Sequence, residues 1–364
     1  MVDLRKFVDI DIQPHYAKAV ETTRDTVVLF TDLGTKGETA LLNNLSEAKA
    51  YISNHSDYEK IANYFDIYFD NGGKKILLVN GYSDADELIT AIKALDNKYI
   101  CIAYALSTQN EATPGAIAIN IASKLADDSS VYGINEKIIL ARQWNRQDIN
   151  IHYKNLAIKY SAIVGAEMTM AAYLSQLDIS ENDAVQDYMF TAEKITPENE
   201  SDDIYDKLIA GNYNVDIVLS GVVRNCGGNC SNGDDLINNF TRIILHQTLT
   251  DSLLDLLTQK IKLSTGISKI YAVITNELEK YKYCGYLTTD KVWEDEDLKV
   301  VGADGITYTI ISKGEALLNG YVIKVLPNSA MTKNDKALHN TPPIYVILAD
   351  QYSIRKITIN GEII

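Results

Sequence analysis

Residues 64–81 read Tyr64-Phe65-Asp66-Ile67-Tyr68-Phe69-Asp70-Asn71-Gly72-Gly73-Lys74-Lys75-Ile76-Leu77-Leu78-Val79-Asn80-Gly81, and the character of the chain changes twice within them. Tyr64, Phe65 and Tyr68 recur at helical spacing and continue a pattern that begins at Ser46 and includes Ala50 and Ile61, so a helix is expected from there to about Phe69. Asn71-Gly72-Gly73 closes it, because glycine enters the left-handed conformation that ends helices without a Cβ penalty. Lys75-Ile76-Leu77-Leu78-Val79 then reads as a buried strand. A helix feeding a buried strand through a tight turn is the repeating step of an α/β layer structure.

Working outward, Thr26-Val27-Val28-Leu29-Phe30 is a second buried strand, followed by a loop carrying Gly34 and Gly37. An alternating strand, Val8-Asp9-Ile10-Asp11-Ile12-Gln13, precedes it and stops at Pro14. Downstream, the patterns predict a helix over 84–95, a strand over 99–106, and a helix over 114–124 with Pro114 at its first position. A strand over 137–141 follows, then a helix around 151–160, an Ala/Met-rich helix over 162–177 and a strand over 215–223. The alternation predicts an α/β fold with at least part of the sheet parallel. Residues 225–235, NCGGNCSNGDD, read as a domain boundary or exposed loop. Beyond them, apolar residues from Leu236 to Ile261 recur at three- and four-residue steps, predicting one long amphipathic helix over 234–262 and a second over 268–283, after Gly266. The tail is strand-like at 307–311, 321–326, 343–348 and 354–359, with the hairpin signal Asn360-Gly361 near the end.

A length of 364 residues favours two or three domains. Lys and Arg number 34 against 49 Asp and Glu, a net charge of −15 that repels phosphate backbones, so no nucleic-acid partner is expected. The longest mostly apolar stretch, 162–174, contains Glu167 and falls short of the ~20 residues of a spanning helix, and the start MVDLRKFVDIDIQ lacks a secretory apolar region, so no membrane insertion is expected. Four cysteines are too few for a disulfide scaffold and point to synthesis in a reducing cytoplasm. Tyr, at 23 against 6 Phe and 2 Trp, suits half-buried positions including subunit contacts, or simply a Tyr-rich surface.

Motifs for chemistry are sparse. The loop TDLGTKGET over 31–39 follows a strand but lacks Gly-Lys-Ser/Thr, so it is not expected to cradle a nucleotide. Cys226 and Cys230 would need two more ligands for zinc, which His246 and Cys284 could supply only if the fold gathered them; a flexible loop with free thiols or a local disulfide is the plainer expectation. His15, His55, His152, His246 and His339 have no metal or triad spacing. The acidic runs at 294–297 and 198–203 read as solvated turns. No catalytic, metal-binding or cofactor-binding residue is expected.

The two ends are more informative. One strand carries Asp9 and Asp11, the other, Ile354 to Ile363, carries Arg355 and Lys356; paired, they set opposite charges across a ladder, roughly 0.2–1 kcal/mol per good pair. Such strands either pair within one subunit or are donated to the sheet of another copy, since backbone hydrogen bonds are indifferent to chain identity. Repeated head-to-tail donation closes a ring or winds a helical filament.

Residues 64–81, preceded by LLNNLSEAKAYIS, resemble the aromatic-aromatic-x-Asn-Gly-Gly and apolar-strand signature of contractile tail sheath proteins of bacteriophages and related injection particles. Gly320-Tyr321-Val322 through Pro327, Pro342-Pro343-Ile344-Tyr345-Val346 and Ile354-Arg355-Lys356-Ile357-Thr358-Ile359-Asn360-Gly361 are similar to the closing strands of that family. The Arg often found after the signature strand is replaced by Asn80-Gly81-Tyr82, and the chain is short for the family. The resemblance implies an outer α/β domain over 23–224, and an inner domain of long helices and a terminal β-sheet completed by neighbouring subunits, formed by a strand arm over 1–22 and the region 225–364. It implies a non-enzymatic, cofactor-free virion-tail protein made in the host cytoplasm, assembled as stacked hexameric rings around a tail tube and contracting by rigid-body rearrangement to drive the tube into the host envelope. Implied partners are further copies of itself, the tail tube protein, and baseplate and tail terminator proteins. Inter-subunit strand exchange would fall on Val8, Asp9, Ile10, Asp11, Ile12, Ile354, Arg355, Lys356, Ile357, Ile359 and Ile363. Lys260, Lys262 and Lys269 are candidates for facing an acidic tube, or are ordinary lysines complementing a helix C-terminus. The alternatives are a tube, adaptor or baseplate component of the same particle, or an α/β hydrolase.

Overall fold

The computed structural model describes residues 25–96, 98–105, 113–126, 136–144 and 152–351. In chain order the elements are β1 (Thr26–Thr31), β2 (Thr39–Leu42), α1 (Leu45–Asn54), α2 (Ala62–Asp70), β3 (Lys75–Val79), α3 (Ala85–Ala94), β4 (Cys101–Ala105), α4 (Thr113–Ala126), β5 (Ile138–Gln143), β6 (Leu156–Tyr160), α5 (Met168–Gln176), α6 (Asp202–Ala210), β7 (Asn214–Leu219), β8 (Val222–Cys226), α7 (Leu236–Thr258), α8 (Leu263–Tyr283), β9 (Leu298–Val301), β10 (Thr307–Ile311), β11 (Tyr321–Val325), α9 (Lys333–Ala337) and β12 (Ile344–Leu348). Two compact units result, one of residues 25–178 and 186–243, the other of 179–185 and 244–351, the division falling within α7.

The first unit is built on an eight-stranded sheet in the order β2-β3-β1-β4-β5-β6-β7-β8. The six inner strands run parallel, while β2 and β8 turn antiparallel at the two edges. Every residue of β4, β5 and β6 is buried, as parallel strands covered on both faces require. The fold is therefore α/β, as the alternation predicts.

The turn at Asn71-Gly72-Gly73 shows why its residues are needed. Gly72 has φ +85° in the left-handed region, and the N–H of Gly73 donates to Tyr68 O at 2.9 Å, capping α2. A Cβ on Gly73 would lie 2.4 Å from the Tyr68 ring, so the second glycine is demanded by close approach. Tyr68 in turn donates its hydroxyl to Lys75 O at 2.9 Å, tying helix to strand.

Several elements differ from the sequence reading. The single helix expected over 46–69 is interrupted by a 3-10 turn at Ser56–Ile61, where the polar run Ser53 to Asp57 gives way to a packed cluster of Tyr51, His55 and Tyr58. Residues expected as a helix up to 160 end in strand β6, because the run Leu156-Ala157-Ile158-Lys159-Tyr160 is buried on both faces, lysine included. The Ala/Met-rich helix starts at Met168, after a turn with Gly165 at φ +86°. The strand expected over 215–223 is instead the hairpin of β7 and β8, turned at Ser220 and Gly221 with positive φ at both. Residues 225–231 are not an exposed loop. Asn225, Cys226, Cys230 and Ser231 are buried, and Gly228 N–H donates to Asn214 Oδ1 at 2.6 Å. Composition suggested solvent there, but the side chain of Asn214 supplies the polar partners.

In the second unit, the expected long helix ends at Thr258, not 262, and α8 begins at Leu263. The break is a left-handed Lys260 (φ +53°), and Gly266 sits inside the first turns of α8 with its N–H donated to Lys262 O at 2.6 Å. Strands β9 and β10 form one antiparallel pair and β11 and β12 another. Ile310, Ile311, Leu317, Leu326, Ala330, Ile347 and Ala349 form a small core beneath them.

Candidate assembly surface

Strands β11 and β12 lie in register Tyr321↔Leu348, Val322↔Ile347, Ile323↔Val346, Lys324↔Tyr345 and Val325↔Ile344. Leu326 N–H donates to Pro343 O at 3.0 Å and Ala349 N–H to Gly320 O at 2.8 Å, which fixes the alternation of the ladder. Residues 343, 345, 347 and 349 exchange bonds with β11; Ile344, Val346 and Leu348 therefore aim N–H and C=O at the opposite edge. By the same alternation Tyr321, Ile323 and Val325 aim theirs at the outer edge of β11. Among the described residues no third strand joins this sheet. A sheet edge of this kind is a template for a further strand.

The sheet is held firmly from behind. Tyr321 donates its hydroxyl to Glu279 Oε1 on α8 at 2.7 Å, and burial with Glu279 beside it raises the phenol pKa. Lys291 Nζ donates to Asp350 Oδ1 at 2.9 Å, and Gln351 N–H to Tyr286 O at 2.8 Å. Of twelve large apolar side chains exposed among the described residues, eight belong to this unit, with Leu318 at 75% and Val301 at 71% the most open. Val301 and Ile306 flank the β9–β10 turn. A recess of about 410 Å³ is lined by Leu257, Ile261, Ile267, Ile270, Met331 and His339 among others.

Val8, Asp9, Ile10, Asp11, Ile12, Ile354, Arg355, Lys356, Ile357, Ile359 and Ile363 lie outside the described residues. Lys260, Lys262 and Lys269 are exposed. Lys260 follows α7, whose last turn holds no basic residue, while Lys262 is the N-cap of α8 and Lys269 lies on that helix. Lys260 thus stands at the C-terminal end of α7, its N–H donating to Leu257 O at 3.0 Å, where a cation complements the macrodipole, while Lys262 and Lys269 lie in the N-terminal half of α8, where it gives them no gain.

Other candidate chemistry resolves into packing. All four cysteines are free and buried, and burial pushes Cys230 and Cys284 up to about 12, leaving unreactive protonated thiols. Among the described residues no group of three His, Cys, Asp or Glu is placed to hold a metal ion, and no helix is long and apolar enough to cross a membrane. The acidic run over 198–203 is not merely solvated: Glu198 accepts from Ser161 Oγ at 2.7 Å and Glu200 from Tyr160 OH at 2.7 Å, closing the end of β6. Tyr64, Tyr68, Tyr160, Tyr188, Tyr281 and Tyr286 are fully buried, so much of the tyrosine excess is core. The sequence reading missed a buried polar group around Lys159, whose members come from five separate segments.

No family model matches the chain, and no curated protein does. Solved structures do. A chain of the anti-feeding prophage (AFP) baseplate aligns with a TM-score of 0.65 at 14% identity, covering 98% of this chain and 97% of that one. A chain of the PVC sheath complex of an extracellular contractile injection system, in the contracted state, gives 0.63 at 15%, covering 98% and 96%. A chain of the contracted AFP helical sheath gives 0.59 at 13%, covering 98% of each. The protein has the fold found in these contractile-sheath structures.

Proposed function

We propose that the chain is a self-assembling subunit of a contractile sheath, located in the tail of an injection particle. Copies form stacked hexameric rings around a tube, and contraction is a rigid-body rearrangement of subunits from an extended lattice to one of lower energy. No bond is made or broken in that step, and the subunit is not an enzyme. The observation that carries this reading is the β11–β12 sheet with open edges, in a chain aligned over 98% of its length with a contracted sheath.

The strands over 8–12 and 354–363 are the donors in this proposal. One adds to an edge of β11–β12 in an adjacent copy and the other pairs with it, setting Asp9 and Asp11 across the ladder from Arg355 and Lys356. Lys260, Lys262 and Lys269 face an acidic tube. Deleting residues 1–13 or 354–364 is expected to leave a folded subunit that does not polymerise; cylinders from both truncations, seen by electron microscopy, would overturn strand exchange. A second reading, a baseplate or adaptor component, draws on the alignment with a baseplate chain. It predicts a single ring and never a long cylinder, so particle shape separates the two. Charge reversal at the three lysines that left tube-bound assembly intact would remove the tube contact.

A further inference from the structure

Parallel register sets Lys159 of β6 opposite Asn214 of β7, so Asp216, two residues on, faces the same side. Antiparallel register then sets Asp216 opposite Asn225 of β8. Onto this row the segment before α6 lowers Tyr188 and Glu193. Lys159 Nζ donates to Asp216 Oδ1 at 2.7 Å, Glu193 Oε2 at 2.8 Å, Asn225 Oδ1 at 3.1 Å and Tyr188 OH at 3.1 Å. Tyr188 OH donates to Glu193 Oε1 and stands 3.1 Å from Thr169 Oγ1. All six residues are buried.

An ammonium has three hydrogens, and here it faces four acceptors, two of them carboxyl groups. Asn225 Nδ2 has no hydrogen-bond partner, and the carboxyl groups of Asp216 and Glu193 lie within hydrogen-bond reach of each other. Burial raises Asp216 to about 7, with Lys159 opposing and Glu193 adding to the rise. At Glu193 burial also pushes upward, but the attraction of Lys159 prevails and holds the carboxyl low. The favoured resting set is thus a lysine ammonium, a Glu193 carboxylate and an Asp216 acid.

We propose that Lys159 and Asp216 condense within the folded chain to an amide, with Glu193 carrying the proton. Glu193 takes one proton from the ammonium, the freed amine attacks Cγ of the Asp216 acid, and the nitrogen–carbon bond forms. The tetrahedral centre sheds the hydroxyl, which leaves as water with the second proton of the amine, passed through Glu193. An ammonium, a carboxylate and an acid become an amide, an acid and one water; atoms and charge balance, and no oxidant or co-reactant is needed. Burial favours the products, since a dry site that held separated charges holds only neutral, hydrogen-bonded groups afterwards. Proximity favours the step, because the sheet already holds amine and carboxyl in contact. The link would brace β6 to β7, whose ladder holds only the pairs Lys159↔Asn214 and Tyr160↔Val215.

Mass spectrometry of the full chain, folded, aged at neutral pH and then denatured, tests this. The expected result is a chain lighter by one water, and a branched proteolytic peptide joining the segment of Lys159 to that of Asp216. Lys159→Arg, which keeps the cation, and Glu193→Gln are expected to lack both. Recovery of only unlinked Lys159 and Asp216 peptides from the aged wild-type chain overturns the proposal, whether or not the variants fold. A link from Lys159 to Asn225 with loss of ammonia overturns Asp216 as the acceptor.

Discussion

The two units treat their strand edges in opposite ways. In the first, the parallel strands β4, β5 and β6 are buried along their whole length, and the edge strand β8 is itself partly covered where Phe190 N–H donates to Asn225 O and Glu193 N–H to Val223 O. In the second, two separate two-stranded sheets show open edges among the described residues, and the same unit carries most of the exposed large apolar side chains. An isolated two-stranded sheet is marginal in water, so the second unit gains from added strands and the first does not. Under the proposed strand exchange, stability and assembly are assigned to different parts of one chain, and single substitutions can separate them.

The largest effect is expected inside the first unit. Lys159→Met leaves Glu193 and Asp216 buried without their cation and should cost about 3–5 kcal/mol, read as a lowered denaturant midpoint. Gly73→Ala drives a Cβ into the Tyr68 ring and should cost about 1–3 kcal/mol by the same measurement. Neither is expected to alter which surfaces assemble.

Glu167 adds a pH dependence to that unit. Burial raises its carboxyl to about 7, with Arg142 opposing, so the fold binds a proton that the unfolded chain releases near 4.5. Its contribution is fully present below the unfolded pKa and is lost as pH rises through about 7. Relative to wild type, Glu167→Gln should therefore gain roughly 1–3 kcal/mol between about pH 5 and pH 8, measured by denaturation across that range.

At the second unit the expectation reverses. Val346 faces its N–H away from β11, so Val346→Pro spares the β11–β12 ladder and blocks the free edge. Polymerisation should weaken about tenfold or more while the subunit keeps its fold, checked by sedimentation and circular dichroism. Smallest of all, Leu318→Ser should leave the melting temperature within about a degree and lower assembly only slightly. A Val346→Pro chain that polymerises normally would erase the contrast between the units.

What the sequence made legible follows physical lines. β1, β3 and β10 were plain because uninterrupted apolar runs, or β-branched residues beside Tyr308, admit few other readings. β6 was misread because Lys159 looks like the polar side of a helix, and only partners at 188, 193, 216 and 225 make its burial affordable. The stretch 225–231 failed for a related reason: Gly, Asn and Cys signal solvent unless another segment brings a polar side chain to meet them, as Asn214 does. The strand-like runs over 321–326 and 343–348 located β11 and β12, but no local pattern states that no further strand joins them among the described residues. That is a property of the whole fold.

The sealed thiols carry a consequence of their own. Cys101, Cys226, Cys230 and Cys284 are each below 4% exposed, and burial raises the pKa of every one. A folded copy that passes from reducing into aerated surroundings has no thiol on offer to peroxide, metal or disulfide exchange, so its chemical ageing is set by other side chains.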